Sequence, residues 1–311
     1  MRARFIEIPG NPVPNGGEVV AAPLSDGATM RAGLFPCDNA KGTVIVAPGW
    51  SEFIEKYFEV AEDLRALRLN VAVIDWRGQG LSDWPKDWPG YFDRLADDLR
   101  EFRDTVVAPR FPGPVFLLTH SMGGLPALLL LARGDEGFAR AALCAPLTRL
   151  FAEPLHAGAG LLAGALSAIG LADRPVRAKD SDAEKFDGNA FTSDPDRHAR
   201  FKALKAAEPE AAREAPSFGW VRDEVRASKA IHSPDRLAGV KIPTLIISAE
   251  AERVVDGADH AAIAAMSPMI EHAVIEGALH EIMMERDEHR AAFWRVVEEF
   301  FAPALADGAR A

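Results

Sequence analysis

Short apolar runs recur along the chain with amphipathic helical patterns between them. The runs are Thr43–Ala47 (TVIVA), Val71–Ile74 (VAVI), Val115–Leu118 (VFLL), Ala141–Cys144, Thr244–Ser248 (TLIIS) and His272–Ile275; the helical stretches include Tyr57–Leu67, Asp93–Val107 and Ala258–Met266. Strands that are apolar at successive positions are buried on both faces, and strands separated by helices run parallel. This pattern specifies an α/β fold, a mostly parallel sheet covered by helices on both sides. Before it, Glu18–Leu24 and Met30–Phe35 flank Ser25-Asp26-Gly27, a turn signal that predicts an antiparallel hairpin at the sheet edge.

The rhythm breaks between about Leu147 and Ala238, where the text turns Ala-rich and helical with charged patches such as Arg177–Lys185. Val240-Lys241-Ile242-Pro243 then leads back into a strand. The expected organisation is a core of residues 1–146 and 239–311, with 147–238 inserted as a helical lid. The Ala-rich end, Ala302–Ala311, is expected to fray. Ala157–Ala172 is uncharged and approaches the ~18 residues of a membrane-spanning helix. It is rich in Gly and Ala rather than Leu and Ile and sits between two halves of one fold, so it is assigned to the lid.

Composition narrows the function. A chain of 311 residues, 48% hydrophobic and 26% charged, suits one large domain with an insertion. A net charge of -11 argues against a nucleic-acid partner, which needs clustered Lys and Arg, and favours small neutral or weakly charged substrates. Cys37 and Cys144 lie far apart, which argues against a disulfide scaffold and suits a reducing cytoplasm. The first residues, MRARFIEIPGNP, lack the apolar run of a secretory signal.

Val115–Gly124 (VFLLTHSMGG) combines an apolar strand, a small-residue turn centred on Ser121 and the start of a helix near Met122. Such a turn lifts a serine hydroxyl above the carboxyl edge of the sheet, the geometry of a nucleophile elbow. Thr119 stands where glycine is usual. The same relaxed pattern occurs at Ala215-Pro-Ser217-Phe-Gly219, but no apolar strand leads into it, so Ser217 is rejected.

A serine nucleophile needs a base and an acid, which in this architecture follow it in chain order. His280 lies on a loop after the last strand and fits the base. His260 and His289 fall in helical patterns and His272 in a strand, while His120 should point away and serve structure. Glu250, Glu252 and Asp256 follow the TLIIS strand; Glu252 is the first choice of acid and Asp256 the alternative. The tetrahedral oxyanion needs two N–H donors, each contributing roughly 3 kcal/mol. Met122, at the start of a helix, supplies one, and the Ala47-Pro-Gly49-Trp50-Ser51 turn supplies the other through Trp50.

The series APGWSEFIEKYFEVAEDL, IDWRGQGLSD, LLTHSMGG, ISAEAERVVD and GALHEIMMERD resembles the bacterial lysophospholipase and monoacylglycerol lipase branch of the α/β-hydrolases, over nearly the whole chain outside the lid. The lid string Gly188–Asp194, with Arg197 and Gly219-Trp220, is similar to its lysophospholipase-type members. The resemblance implies Ser121 as nucleophile, His280 as base and Trp50 with Met122 as oxyanion donors. It sets the acid at Glu252, where members more often carry aspartate. Their His-Gly turn is Pro48-Gly49 here, and Asp75 and Arg77 are expected to support loops.

The implied activity is hydrolysis of a monoacyl lipid ester, a lysophospholipid or monoacylglycerol, through an acyl-enzyme. No metal or organic cofactor is expected. Phe151, Leu155, Leu161 and Leu162 are expected to line an acyl groove. Arg174, Arg177, Lys179, Arg197, Arg200, Lys202 and Lys205 could bring the lid to an anionic lipid surface at the inner membrane face; a solvated helix face is the plainer reading. A peptidase or acyltransferase on the same residues, or a non-catalytic scaffold binding a lipid or protein, are the alternatives. Oligomeric state is left open.

Overall fold

Burial of the apolar runs organises the chain. The structure, a computed structural model, describes residues 2–83, 90–177, 185–213 and 215–307. The strands are β1 (Glu18–Pro23), β2 (Thr29–Phe35), β3 (Thr43–Ala47), β4 (Asn70–Asp75), β5 (Val115–His120), β6 (Arg140–Cys144), β7 (Thr244–Ala249) and β8 (Ile270–Ile275). Among the described residues they form one sheet in the order β1-β2-β4-β3-β5-β6-β7-β8. The β1–β2 hairpin joins the edge antiparallel, and every pairing from β4 to β8 is parallel. β3, β4, β5 and β7 are buried at every position, which is why their sequences do not alternate.

The helices are α1 (Phe58–Ala66), α2 (Tyr91–Phe102), α3 (Ala108–Arg110), α4 (Gly124–Ala132), α5 (Leu155–Leu166), α6 (Pro195–Ala207), α7 (Phe218–Ile231), α8 (Pro234–Leu237), α9 (Asp259–Ala265) and α10 (Asp287–Asp307). Successive strand side chains point to opposite faces. Ile45, Leu117 and Leu143 thus join α2, α4 and α9 in one core, while Val44, Phe116 and Leu118 meet α1 and α10 in the other. The expected fraying from Ala302 is not observed through Asp307. Phe301 packs on Phe116 with ring centroids 4.6 Å apart and holds the last turns of α10; residues 308–311 lie outside the described residues.

β6 and β7 are parallel neighbours, Ala141 opposite Thr244, although α5 to α8 intervene in the chain. The sheet therefore closes past these four helices. On α7, Trp220 packs edge-on to Phe92 at 5.3 Å, and the Asp223 carboxylate accepts the N–H groups of Gly90 and Phe92 at the start of α2. The uncharged stretch that includes α5 breaks at Ile169 and Gly170, the latter at φ +86°. No helix among the described residues is long and apolar enough to cross a membrane.

Candidate active site

The chain leaves β5 through a turn that few sequences allow. Ser121 has φ +48°, a left-handed conformation that costs a non-glycine residue of order 1 kcal/mol or more. Immediately after it, a methyl group on Gly123 would collide with the carbonyl oxygens of Ala47 and Pro48, and one on Gly124 with the Pro146 side chain. Glycine at both positions lets the helix drop between the ends of β3 and β6. The Ser121 hydroxyl then stands above the carboxyl edge of the sheet. Thr119, in the usual glycine position, is fully buried with its hydroxyl 3.6 Å from where a Gly124 Cβ would lie. The larger neighbour is accommodated on that side.

Three side chains from separate loops meet here. His280, on the loop after β8, places Nε2 2.9 Å from Ser121 Oγ and Nδ1 2.7 Å from Glu252 Oε2. Glu252, on the loop after β7, turns its other oxygen to the N–H groups of Arg253, Val254 and Val255, at 2.9, 2.7 and 3.3 Å. Burial raises the affinity of this carboxyl for a proton, but the His280 hydrogen bond and these amides outweigh it, and the pKa lies below the usual carboxylate range. Glu252 is thus ionised at neutral pH and oriented on one nitrogen of His280. Such a line can carry a proton from the hydroxyl to the imidazole and stabilise the resulting cation.

The second turn reaches the same point. A Cβ on Gly49 would lie 3.1 Å from Ser121 Cβ, so the Gly49–Trp50 backbone abuts the serine. Gln79 connects the two turns, its Oε1 accepting the Ser51 N–H at 2.5 Å and its amide donating to Met122 Sδ at 3.3 Å. The Trp50 ring rests edge-on against Trp220 of α7 at 5.2 Å.

Beneath the turn lies a buried group that sequence reasoning missed. The Glu52 carboxylate accepts hydrogen bonds from the Gly49 N–H at 2.5 Å, Tyr57 Oη at 2.5 Å, Lys56 Nζ at 2.6 Å and His120 Nδ1 at 3.1 Å. Lys56 also pairs with Glu281 at 2.7 Å, and His120 Nε2 lies 3.3 Å from the His280 carbonyl. Burial alone would neutralise Glu52, but His120 and Lys56 hold its pKa well below the ordinary value. Burial opposes the imidazolium of His120, yet Glu52 raises its pKa. The Glu52–Lys56 spacing of i, i+4 was the visible signal, and it reads equally well as a solvated helix pair.

Other candidates fall elsewhere. Asp256 faces Arg149, 3.3 Å from its Nε. His260 and His272 share the Ser248 hydroxyl at 2.7 and 2.8 Å, and His289 lies on α10. Ser217 caps α7 by accepting the Trp220 N–H. Asp75 binds Arg31 and the Ile54 and Leu81 amides, and Arg77 grips Asp98 and Asp26.

The expected groove lining departs most from the sequence reading. Phe151, Leu155, Leu161 and Leu162 are 43%, 64%, 78% and 60% exposed, facing outward, while α5 turns His156 and Ala163 inward. Both faces of α5 carry apolar or small residues, so periodicity did not identify the inner one. Arg197 and Arg200 of the basic run pair with Glu59 on α1, and Lys179 lies outside the described residues.

Comparison with known proteins places this geometry in context. The chain is 29% identical over 299 residues to lysophospholipase L2 from Escherichia coli, a match covering 89% of this chain and 85% of that protein. It is 30% identical over 163 residues to human monoglyceride lipase, covering 51% of this chain and 54% of that one. A soluble variant of monoglyceride lipase from Saccharomyces cerevisiae, solved with a substrate analog, shares the fold at a TM-score of 0.71 and 17% identity, covering 93% and 96% of the two chains. The Hydrolase_4 family model, described as serine aminopeptidase, S33, matches residues 38–287. The chain belongs to this family, and it is an enzyme of the α/β-hydrolase, serine hydrolase type.

Proposed function

We propose that the protein hydrolyses the carboxylic ester of a monoacyl lipid, a lysophospholipid or a monoacylglycerol, through an acyl-enzyme on Ser121. The observation that carries this reading is the unbroken line from Ser121 Oγ through His280 to Glu252, with spacings of 2.9 and 2.7 Å.

His280 Nε2 takes the Ser121 proton as Oγ attacks the ester carbonyl, and the oxyanion is held by the Trp50 and Met122 N–H groups. The imidazolium then gives that proton to the departing alcohol. Water, activated by the same imidazole, attacks the acyl-enzyme and releases the fatty acid. Glu252 keeps the imidazole oriented and stabilises its charge throughout.

Lipid substrates are supported by the similarity to lysophospholipase L2 and by the outward apolar side chains of α5. In this reading residues 147–238 form the lid, and Phe151, Leu155, Leu161 and Leu162 meet the acyl chains of aggregated lipid. Fluorophosphonate labelling tests the nucleophile: an adduct on Ser121 that is absent from Ser121→Ala is expected. Folded protein that takes no label there refutes the reading. Monoacylglycerols, lysophospholipids and p-nitrophenyl esters of rising chain length then rank the substrates. The family description keeps an aminopeptidase as the second reading. Turnover of amino-acid p-nitroanilides exceeding that of every ester would establish it.

A further inference from the structure

Where α5 crosses α7, the close approach depends on Gly160, since a Cβ there would lie 2.6 Å from Val225 Cγ1. One turn earlier on α5, His156 faces Glu224 of α7. His156 is 3% exposed and Glu224 not at all. None of the two imidazole nitrogens and two carboxyl oxygens has a hydrogen-bond partner among the described residues. The closest approach between the side chains, His156 Nδ1 to Glu224 Oε2, is 3.9 Å, too long for a hydrogen bond. Most buried polar groups are paired, because an unpaired one pays its full desolvation cost. Two facing each other at one helix contact call for an explanation. Both are sealed, so a ligand reaches them only if the helices part.

We propose that the His156–Glu224 contact makes the parting of α5 from α7 depend on pH. Burial pushes the Glu224 carboxyl well above its ordinary range; the nearby Leu150 N–H acts against this without reaching hydrogen-bond geometry, and no charged side chain bears on the group. Burial pushes the His156 imidazole down; Arg149 and His232 act in the same direction and Glu153 and Asp259 against it. Those neighbours are otherwise engaged. Arg149 pairs with Asp256 and Asp259, His232 with Asp259, and Glu153 accepts the Ala157 N–H. Together the contact holds a neutral acid and a neutral base.

Exposure returns each group to its ordinary pKa, 4.5 for Glu224 and 6.5 for His156. Above pH 6.5, parting the helices releases one proton from Glu224, so each further pH unit favours the parted state about tenfold until the buried acid itself ionises. Between 4.5 and 6.5 the proton released by Glu224 is matched by one taken up by His156, and pH has little effect. Below 4.5 only His156 responds, and acid favours parting. The contact is tightest between the two values. This inference concerns the two helices and stands or falls independently of the chemistry at Ser121.

Hydrogen exchange at the α5 amides of the full-length protein tests it, with protection factors corrected for intrinsic exchange from pH 5 to 8.5. In the wild type, protection should hold steady to about pH 6.5 and then fall about tenfold per unit. Glu224→Gln should abolish that fall and instead lose protection as pH drops from 6.5 towards 5. His156→Asn should extend the fall down to pH 5. If Glu224→Gln misfolds, the His156→Asn profile decides alone. Wild-type protection independent of pH, or a slope above 6.5 shared by the wild type and Glu224→Gln, overturns the proposal.

Discussion

Glu252 and His280 share a hydrogen bond of 2.7 Å, and the carboxylate that makes it is fixed from behind by three successive backbone amides. Asp256, four residues on, is turned away to Arg149.

Replacing Glu252 with glutamine keeps the shape but removes the charge that stabilises an imidazolium. On a short-chain p-nitrophenyl ester, kcat is expected to fall by about 10³–10⁴, as for loss of a triad carboxylate charge. Asp256→Asn should retain nearly full activity. The opposite ranking would reassign the acid.

The glycines at the two turns separate stability from chemistry. Gly123→Ala pushes a methyl group into the Ala47 and Pro48 carbonyls and is expected to cost about 2 kcal/mol or more, read as a drop in Tm. Gly49→Ala meets the Glu52 carboxylate at 2.8 Å and Ser121 Cβ at 3.1 Å. Its expected signature is a lower kcat in a protein that still folds.

Glu52→Gln leaves His120 buried beside a neutral amide and leaves Lys56 with Glu281 as its remaining carboxylate. Removing one partner of a buried ion pair costs about 3–5 kcal/mol, and calorimetry should show a loss of that order. Glu52→Gln/Lys56→Met/Glu281→Gln removes the buried lysine together with both of its carboxylate partners and should recover part of it. A triple variant no more stable than the single one would show that Lys56 does not carry the penalty.

Acid should loosen the attachment of α6 to the core. Burial raises the pKa of Glu59, but hydrogen bonds from Arg197 and Arg200 and the charge of Arg290 outweigh it and hold the folded value at about 2, against an ordinary 4.5. The folded pKa is the lower one, so the stabilisation is complete above pH 4.5 and is lost as pH falls towards 2. With the side chain 28% exposed, it is worth on the order of 2 kcal/mol after solvent screening. Urea unfolding at pH 3 and pH 6 should differ by about 1 kcal/mol less in Glu59→Gln, because only the part of the stabilisation between pH 4.5 and 3 has then been lost.

Much of the fold was legible because burial on both faces leaves continuous apolar runs such as TVIVA and TLIIS, which are too short for a helix of useful length. The candidate site was legible where chain order constrained it, at Ser121 and His280. Choosing between Glu252 and Asp256 required the path of the loop after β7, which depends on backbone amides that no side chain announces. Glu52 stayed hidden because an i, i+4 Glu-Lys pair looks alike in water and under a turn. The inward face of α5 was hidden because glycine, alanine and leucine occupy both sides.

The pairing of β6 with β7 also has a consequence in time. Ser121 leaves the ribosome on strands that can already pair, whereas Glu252 and His280 emerge only after the whole intervening segment has been synthesised. The late parallel pairing across that gap is a high-contact-order step, expected to be slow. A nascent chain therefore carries Ser121 through about half of its synthesis without the imidazole that the folded protein sets 2.9 Å from its hydroxyl.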